Sequence, residues 1–355
     1  MRRIALAATA TLALAGCDIP LPEVPDAPEL QFPSAVTLPQ SDTVIAETFA
    51  ELALADEERD ADLLGSRVGG DAATVREAEY KLAAGDDLRT AFSDDILAVY
   101  ATSQEVWPRV FVGVTEAPGE ALTPVLMVWE QDELRTPYQL RYWAHMVPGA
   151  VLPAMPGQAL GTTVRDADDG DSLQAVPNDV IADYVSLLTA GEDAYAKAQQ
   201  EAEEALAAPE PTPSPSASAD PDADESEPDR VPVTFAPDNY REQMFAARSS
   251  LNKAAKARSG SYADEITARV DDSWVLDTAE GGVLVFVPVD IESRFRVPGA
   301  QLILPTSDKR ILDGKLEDNV VYHYSDFLVF HVPAADSDGE IAVVAADHHL
   351  VKLTD

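Results

Sequence analysis

Two stretches of the chain that lie 136 residues apart begin in nearly the same way, and this repeat limits the fold more than any other feature. Asp42-Thr43-Val44-Ile45-Ala46-Glu47 opens a run with apolar side chains at Ile45, Phe49, Leu52 and Ala53. Asn178-Asp179-Val180-Ile181-Ala182-Asp183 opens another, with Ile181, Val185, Leu187 and Leu188. That spacing is one face of an α-helix. Val75-Arg76-Glu77 then matches Tyr240-Arg241-Glu242 at an offset of 165, and Val110-Phe111-Val112-Gly113-Val114 matches Val285-Phe286-Val287-Pro288-Val289 at 175. The order is kept and the offset only grows, as a duplication with insertions requires. Within each copy helical patterns come first, at 43–65 and 72–84 and again at 178–206 and 238–258. Strand-like runs follow, at 108–115, 124–130 and 138–147, then at 283–290, 300–304, 327–332 and 341–352, with 319–324 as a further run. Helices followed by an antiparallel meander define an α+β class. The expectation is two related units, each of helices followed by an antiparallel curved sheet.

Most of the growth in offset falls at 208–230, an acidic Pro/Ser stretch without a large apolar side chain. Such a segment cannot bury enough apolar surface to offset the entropy of ordering, which predicts a disordered loop. The repeat places this loop inside the second unit rather than between units. The units are then 42–165 and 178–355, joined by an acidic linker at 166–177. Element order and unit length resemble nuclear-transport-factor-two-like domains, in which a curved sheet wraps a helical pair into a cone. That resemblance implies a cone-like pocket able to take a small molecule or a glycan.

The N-terminus carries an address. Met1-Arg2-Arg3 is a short basic region, Ile4 to Ala13 is uncharged, and the run ends in Leu14-Ala15-Gly16-Cys17. About ten apolar residues are too few to span a bilayer, where roughly 20 are needed, so residues 1–16 read as a secretory signal. Leu-Ala-Gly-Cys resembles the lipobox of bacterial lipoproteins, and Cys17 is the sole cysteine of the chain. The resemblance implies cleavage before Cys17, acylation of its thiol, and a protein anchored by lipid on the extracytoplasmic face of the cell membrane. Residues 17–41 follow as a lipidated spacer containing Pro20, Pro22, Pro25, Pro28, Pro33 and Pro39, a density that favours extended polyproline II. A second likeness lies in Thr136-Pro137-Tyr138-Gln139-Leu140-Arg141-Tyr142-Trp143-Ala144 and its continuation from Met146 to Pro153. It resembles a signature of uncharacterised lipoproteins of high-GC Gram-positive bacteria, a family that lends no catalytic residue.

Composition excludes several functions. The chain holds 63 acidic residues against 25 Lys plus Arg, for a net charge of −38. A general nucleic-acid binder needs clustered cations and is ruled out. One cysteine permits neither an internal disulfide framework nor a cysteine-rich zinc site. The sequence has no Gly-x-Ser-x-Gly, His-Glu-x-x-His, Walker or dinucleotide-binding motif, so no catalytic residue and no cofactor is read from it. Aligning Gly170 or Gly339 to the sixth position of an EF-hand loop puts Arg165 or Ala334 at the first and Val176 or Ala345 at the twelfth, which fails the ligand pattern. Four of the five histidines, His323, His331, His348 and His349, fall in the last strands, with His145 apart. A two-residue turn at Ser337-Asp338 would set His331 opposite Val344, His348 opposite Phe327 and His349 opposite Asp326. His331 and His348 then lie about 13 Å apart along the strand, too far to share a metal with Asp326 or Asp347.

One segment runs against the overall charge. Arg241, Arg248, Lys253, Lys256 and Arg258 share a predicted helix with Glu242 alone, a net of +4. This face reads either as a contact for an anionic partner or as a solvated face that offsets acids of its own domain. Trp107, Trp129, Trp143 and Trp274 lie in or beside predicted strands and read as core or rim, with a carbohydrate platform as the alternative. The combined expectation is a non-enzymatic envelope lipoprotein that binds or assembles with an unidentified envelope protein or glycan. The alternative is a small-molecule or glycan binder, and an enzyme comes last.

Overall fold

The computed structural model describes residues 34–83, 87–104, 107–119, 122–207 and 230–355. Cys17, the signal segment, the spacer up to residue 33 and the loop at 208–229 lie outside the described residues. Helix α1 (Leu38–Glu58) opens on Thr37, whose N–H and hydroxyl both donate to Gln40 Oε1, at 3.0 and 2.8 Å. Pro39 stands in its first turn, where no backbone N–H is needed. The expected spacer therefore stops short of residue 41: Val36 is already buried and Leu38 to Ser41 are helical. Helix α2 (Gly70–Ala83) follows, then strands β1 (Ile96–Ala101), β2 (Arg109–Thr115), β3 (Val125–Gln131) and β4 (Gln139–His145), which pair in that order as an antiparallel meander.

After the two-residue strand β5 (Val164–Arg165) come α3 (Pro177–Ala190), α4 (Glu192–Ala207) and α5 (Asn239–Lys256). The single helix expected at 178–206 is divided at Gly191, whose φ of +88° ends α3 in a region that few side chains tolerate. The remaining strands are β6 (Ser261–Ala268), β7 (Trp274–Asp277), β8 (Val283–Arg296), β9 (Asn319–Val332) and β10 (Ala342–Thr354). They form a second sheet ordered β10-β9-β8-β7-β5, with β6 also paired to β8. One edge of β8 carries β7 on Val283 to Phe286 and β6 on Val289 to Arg296. Pro288 sits in the break between them, and its carbonyl accepts from Arg269 N–H in the connection. A residue without an N–H is tolerated there because no strand faces that side.

The apolar runs of these strands are buried on both faces, which explains why they lack simple alternation. Phe111, Met127, Trp129 and Leu140 take Ile45, Leu52, Val75 and Tyr80 of α1 and α2. Val110, Val112, Leu126 and Val128 face the other way, onto Leu284, Phe286, Phe327 and Val329 of the second sheet. The far face of that sheet, through Val283, Val285, Val287 and Phe330, packs under Ile181, Tyr184, Tyr240 and Met244. The result is an α+β fold of four layers: helices, sheet, sheet, helices. Trp129 stacks on Phe111 at 5.0 Å and donates its indole N–H to Thr48 Oγ1 at 3.0 Å. Its ring covers Gly113, where a Cβ would come within 2.8 Å.

Several expectations change here. The sequence pattern predicts no strand at β1, β5, β6 or β7, whereas 319–332 is one strand and 300–304 is a loop in which Leu304 is buried while Ile303 is 86% exposed. The match at offset 175 pairs positions of opposite facing, since Val110 meets the other sheet and Val285 meets the helices. The β9–β10 connection spans 333–341 and β10 bulges between Val343 and Ala345. His331 therefore pairs Ala342, His348 pairs Asp326 and His349 pairs Ser325, in place of the expected partners. The tryptophans form no shared surface: Trp129 and Trp143 are buried, while Trp107 lies under the Arg109 guanidinium.

Candidate binding cleft on the seam between the sheets

The space between helices and sheet in each half is filled by side chains, so the cone interior is not where an opening lies. A cleft of about 440 Å³ opens instead where β4 and β10 come together, roofed by the start of α5 and bordered by Arg89, Thr90, Leu122 and Thr123. Met146 bridges to Ala345 there, joining the two sheets at one corner. Two carboxylates hold its polar groups: Asp347 lines the cleft, and Asp326 lies behind His348 and Tyr240. Asp347 receives His145 Nδ1 at 2.8 and 3.0 Å on its two oxygens, and His349 Nε2 stands 3.4 Å from Oδ2, an ion-pair distance without hydrogen-bond geometry. Asp326, 1% exposed, receives His348 Nδ1 at 2.8 and 3.0 Å, the Tyr240 hydroxyl at 2.5 Å and His349 N–H at 3.3 Å. Tyr324 stacks on His348 at 3.9 Å, and the edge of Trp143 meets His349 at 5.6 Å.

The electrostatics follow from that packing. Burial works against the Asp347 carboxylate, but the bond from His145 and the nearby His349 outweigh it and hold the group below the ordinary carboxylate range. Burial likewise disfavours the His349 imidazolium, yet Asp347 raises it above its ordinary value. Burial and the Asp326 charge push the Tyr240 phenol far up, so it stays a donor. His145 and His348 are thus each held by a carboxylate at Nδ1. Each leaves Nε2 without a partner among the described residues. Aspartate behind an imidazole fixes its ring and tautomer, so two oriented imidazoles meet apolar walls made by Leu122, Met146, Val147 and Pro148. Among the described residues no three His, Cys, Asp or Glu side chains are arranged to hold a metal ion. Asp347 stands between its two imidazoles rather than beside them.

No protein-family model, curated protein or solved structure matches this chain.

The five basic residues read from the sequence are divided by the fold. Arg241 is 8% exposed and lies between Glu192 and Asp238, at 3.4 and 3.8 Å. Arg248 donates to the buried Asp264 at 2.7 Å and to Thr189 O at 3.1 Å. Lys253, Lys256 and Arg258 are exposed, and no ion pair joins them to another described residue. Cys17 lies outside the described residues. No described helix is long and apolar enough to cross a membrane. Three larger clefts, of about 660, 650 and 510 Å³, border α2. The second borders Arg76, whose guanidinium is fully occupied by Asp56 and Glu79 at 2.6 Å each and by Thr90 O at 2.9 Å.

Proposed function

We propose that the protein is an envelope lipoprotein, held by lipid on Cys17 at the extracytoplasmic face, that works by binding and uses the seam cleft as its ligand site. The observation that carries the binding site is the convergence of two carboxylate-backed imidazoles, His145 and His348, on one cleft with apolar walls. A pocket of several hundred Å³ with few oriented polar groups among apolar walls is the usual form of a ligand site. The lipobox-like Leu-Ala-Gly-Cys at 14–17 supports the anchor, and two acyl chains give stable attachment where one gives only marginal binding. The partner is an envelope protein or a glycan. Cys17→Ala is expected to move the protein from the membrane pellet to the soluble fraction; unchanged sedimentation would refute the anchor. Purified in lipidated form from its own membrane, the wild type should carry a molecule that the His145→Ala/His348→Ala double variant lacks. Identical mass-spectrometric profiles for the two would remove the cleft as the site.

A further inference from the structure

Strand β10 has a strand partner, β9, along one edge only. Its outer edge is covered in three places by short extended pieces of the same chain: Phe235 beside Ile341, Met146 beside Ala345 and Leu312 beside Leu353. Backbone hydrogen bonds carry each contact. Ala236 N–H donates to Ile341 O at 2.8 Å, Val147 N–H to Val344 O at 2.9 Å, and Asp313 N–H to Leu353 O at 2.8 Å. Between Ala345 and Leu353 no described segment pairs with this edge, and that gap opens into the cleft at Ala346 to His349.

Alternation decides which groups the gap presents. In an antiparallel strand the N–H and C=O of one residue point to one side, and those of its neighbour to the other. Val344 C=O points outward, so Ala346, His348 and Leu350 do as well, until the bulge between Leu350 and Lys352 returns Leu353 to the outer side. His349, of opposite parity, sends its N–H toward β9, where it meets Asp326 Oδ1. The backbone groups of His348 and Leu350 make no outward hydrogen bond to any described residue. His348 is exposed and lines the opening, and Leu350, half-buried, continues the same edge just beyond it. Unpaired edges are normally blunted or covered, and this chain covers the same edge on both sides of the gap.

We propose that the gap is a strand-addition site, which takes an extended peptide segment of another molecule. The peptide would pair its backbone with His348 and Leu350 and lay alternate side chains against the His145 and Tyr240 end of the cleft. The occupant is a peptide because the edge offers N–H and C=O groups at the spacing of an extended chain, the partner used at each of the three covered places. A sugar offers no such period. This is a known mode of peptide recognition, with affinity from main-chain bonds and selectivity from alternate side chains. The inference rests on the cleft being the ligand site and narrows the class of ligand.

A displayed library of random heptapeptides, selected on the whole protein, should yield enriched sequences. Resynthesised with single N-methyl amides, the best of them should lose affinity about tenfold at every second amide and little at those between, since one backbone hydrogen bond is worth about that factor. Affinity that falls in His145→Ala/His348→Ala but ignores N-methylation would keep the cleft as the site and overturn strand addition. A library without enriched peptides would overturn it as well. So would displacement of the peptide by an N-acetylglucosamine tetramer that binds the cleft more tightly.

Discussion

Asp347 and His349 illustrate how a pair of residues can set a pH window. The Asp347 value is depressed in the folded state, so its contribution is present above the unfolded value near 4 and is lost as pH falls through the folded one. The His349 value is raised, so its contribution is complete below about 6.5 and is lost as pH rises through the folded value. The pair therefore stabilises most between about pH 4 and 6.5. Thermal melts across pH should show wild type exceeding His349→Gln by most in that window, with the difference shrinking on either side; a difference that keeps growing above pH 7 would exclude the pairing. Part of this site is legible in the sequence. Asp326 and Asp347 are acids inside apolar strands, and a buried carboxylate demands partners. The partners are not legible, because Tyr240 lies 86 residues from Asp326 and His145 lies 202 from Asp347. The closing of the two sheets brings His145 to Asp347, and the packing of α5 on the second sheet brings Tyr240 to Asp326.

Helix α5 shows how one amphipathic element divides its charges between architecture and surface. Arg248 reaches Asp264, whose side chain is 3% exposed, and removing one member of such a pair leaves a buried charge uncompensated. Arg248→Ala is expected to cost about 3–5 kcal/mol in urea unfolding. Replacing Lys253, Lys256 and Arg258 together by Ala should cost far less than Arg248→Ala alone; the reverse ranking would place an unseen partner on the helix end. The basic stripe was plain in the sequence, but its allocation was not, since Asp264 lies on β6, a strand the sequence conceals. Exposure alternates along Ser261 to Ala268, but Asp264 takes one of the inward positions held otherwise by Tyr262, Ile266 and Ala268, and this breaks the period-two signal. Strand β9 hid differently: His323 to Asp326 interrupts its apolar run although the pairing with β8 continues unbroken from Asn319 to Val332. The four-layer arrangement reverses the facing of β2 relative to β8, and this is why a match of five residues misaligned their inner sides.

At the scale of the molecule, the decisive feature is the core between the sheets, to which both halves contribute. Tyr142 of one sheet stacks on Phe327 of the other at 4.7 Å, and Val110, Val112 and Val128 have no other cover. Neither half can bury its second sheet face alone, so the two are expected to unfold in one transition. Tryptophan emission, from Trp107, Trp129 and Trp143 in the first half and Trp274 in the second, should follow the same urea curve as the far-ultraviolet circular dichroism of the whole. Phe327→Ala should lower stability by about 3–5 kcal/mol without splitting that curve, and two resolved transitions would show that the halves are independent. The cleft lies on this same seam, with His145 from one sheet and Asp347 and His348 from the other. A molecule seated there touches a surface that exists only while the halves are docked, so it acts as a clamp. At a hundred times its dissociation constant it would add about 2.7 kcal/mol to the folded state. The melting temperature of the empty protein thus becomes a detector, able to recognise the right molecule in a mixture before its chemistry is known.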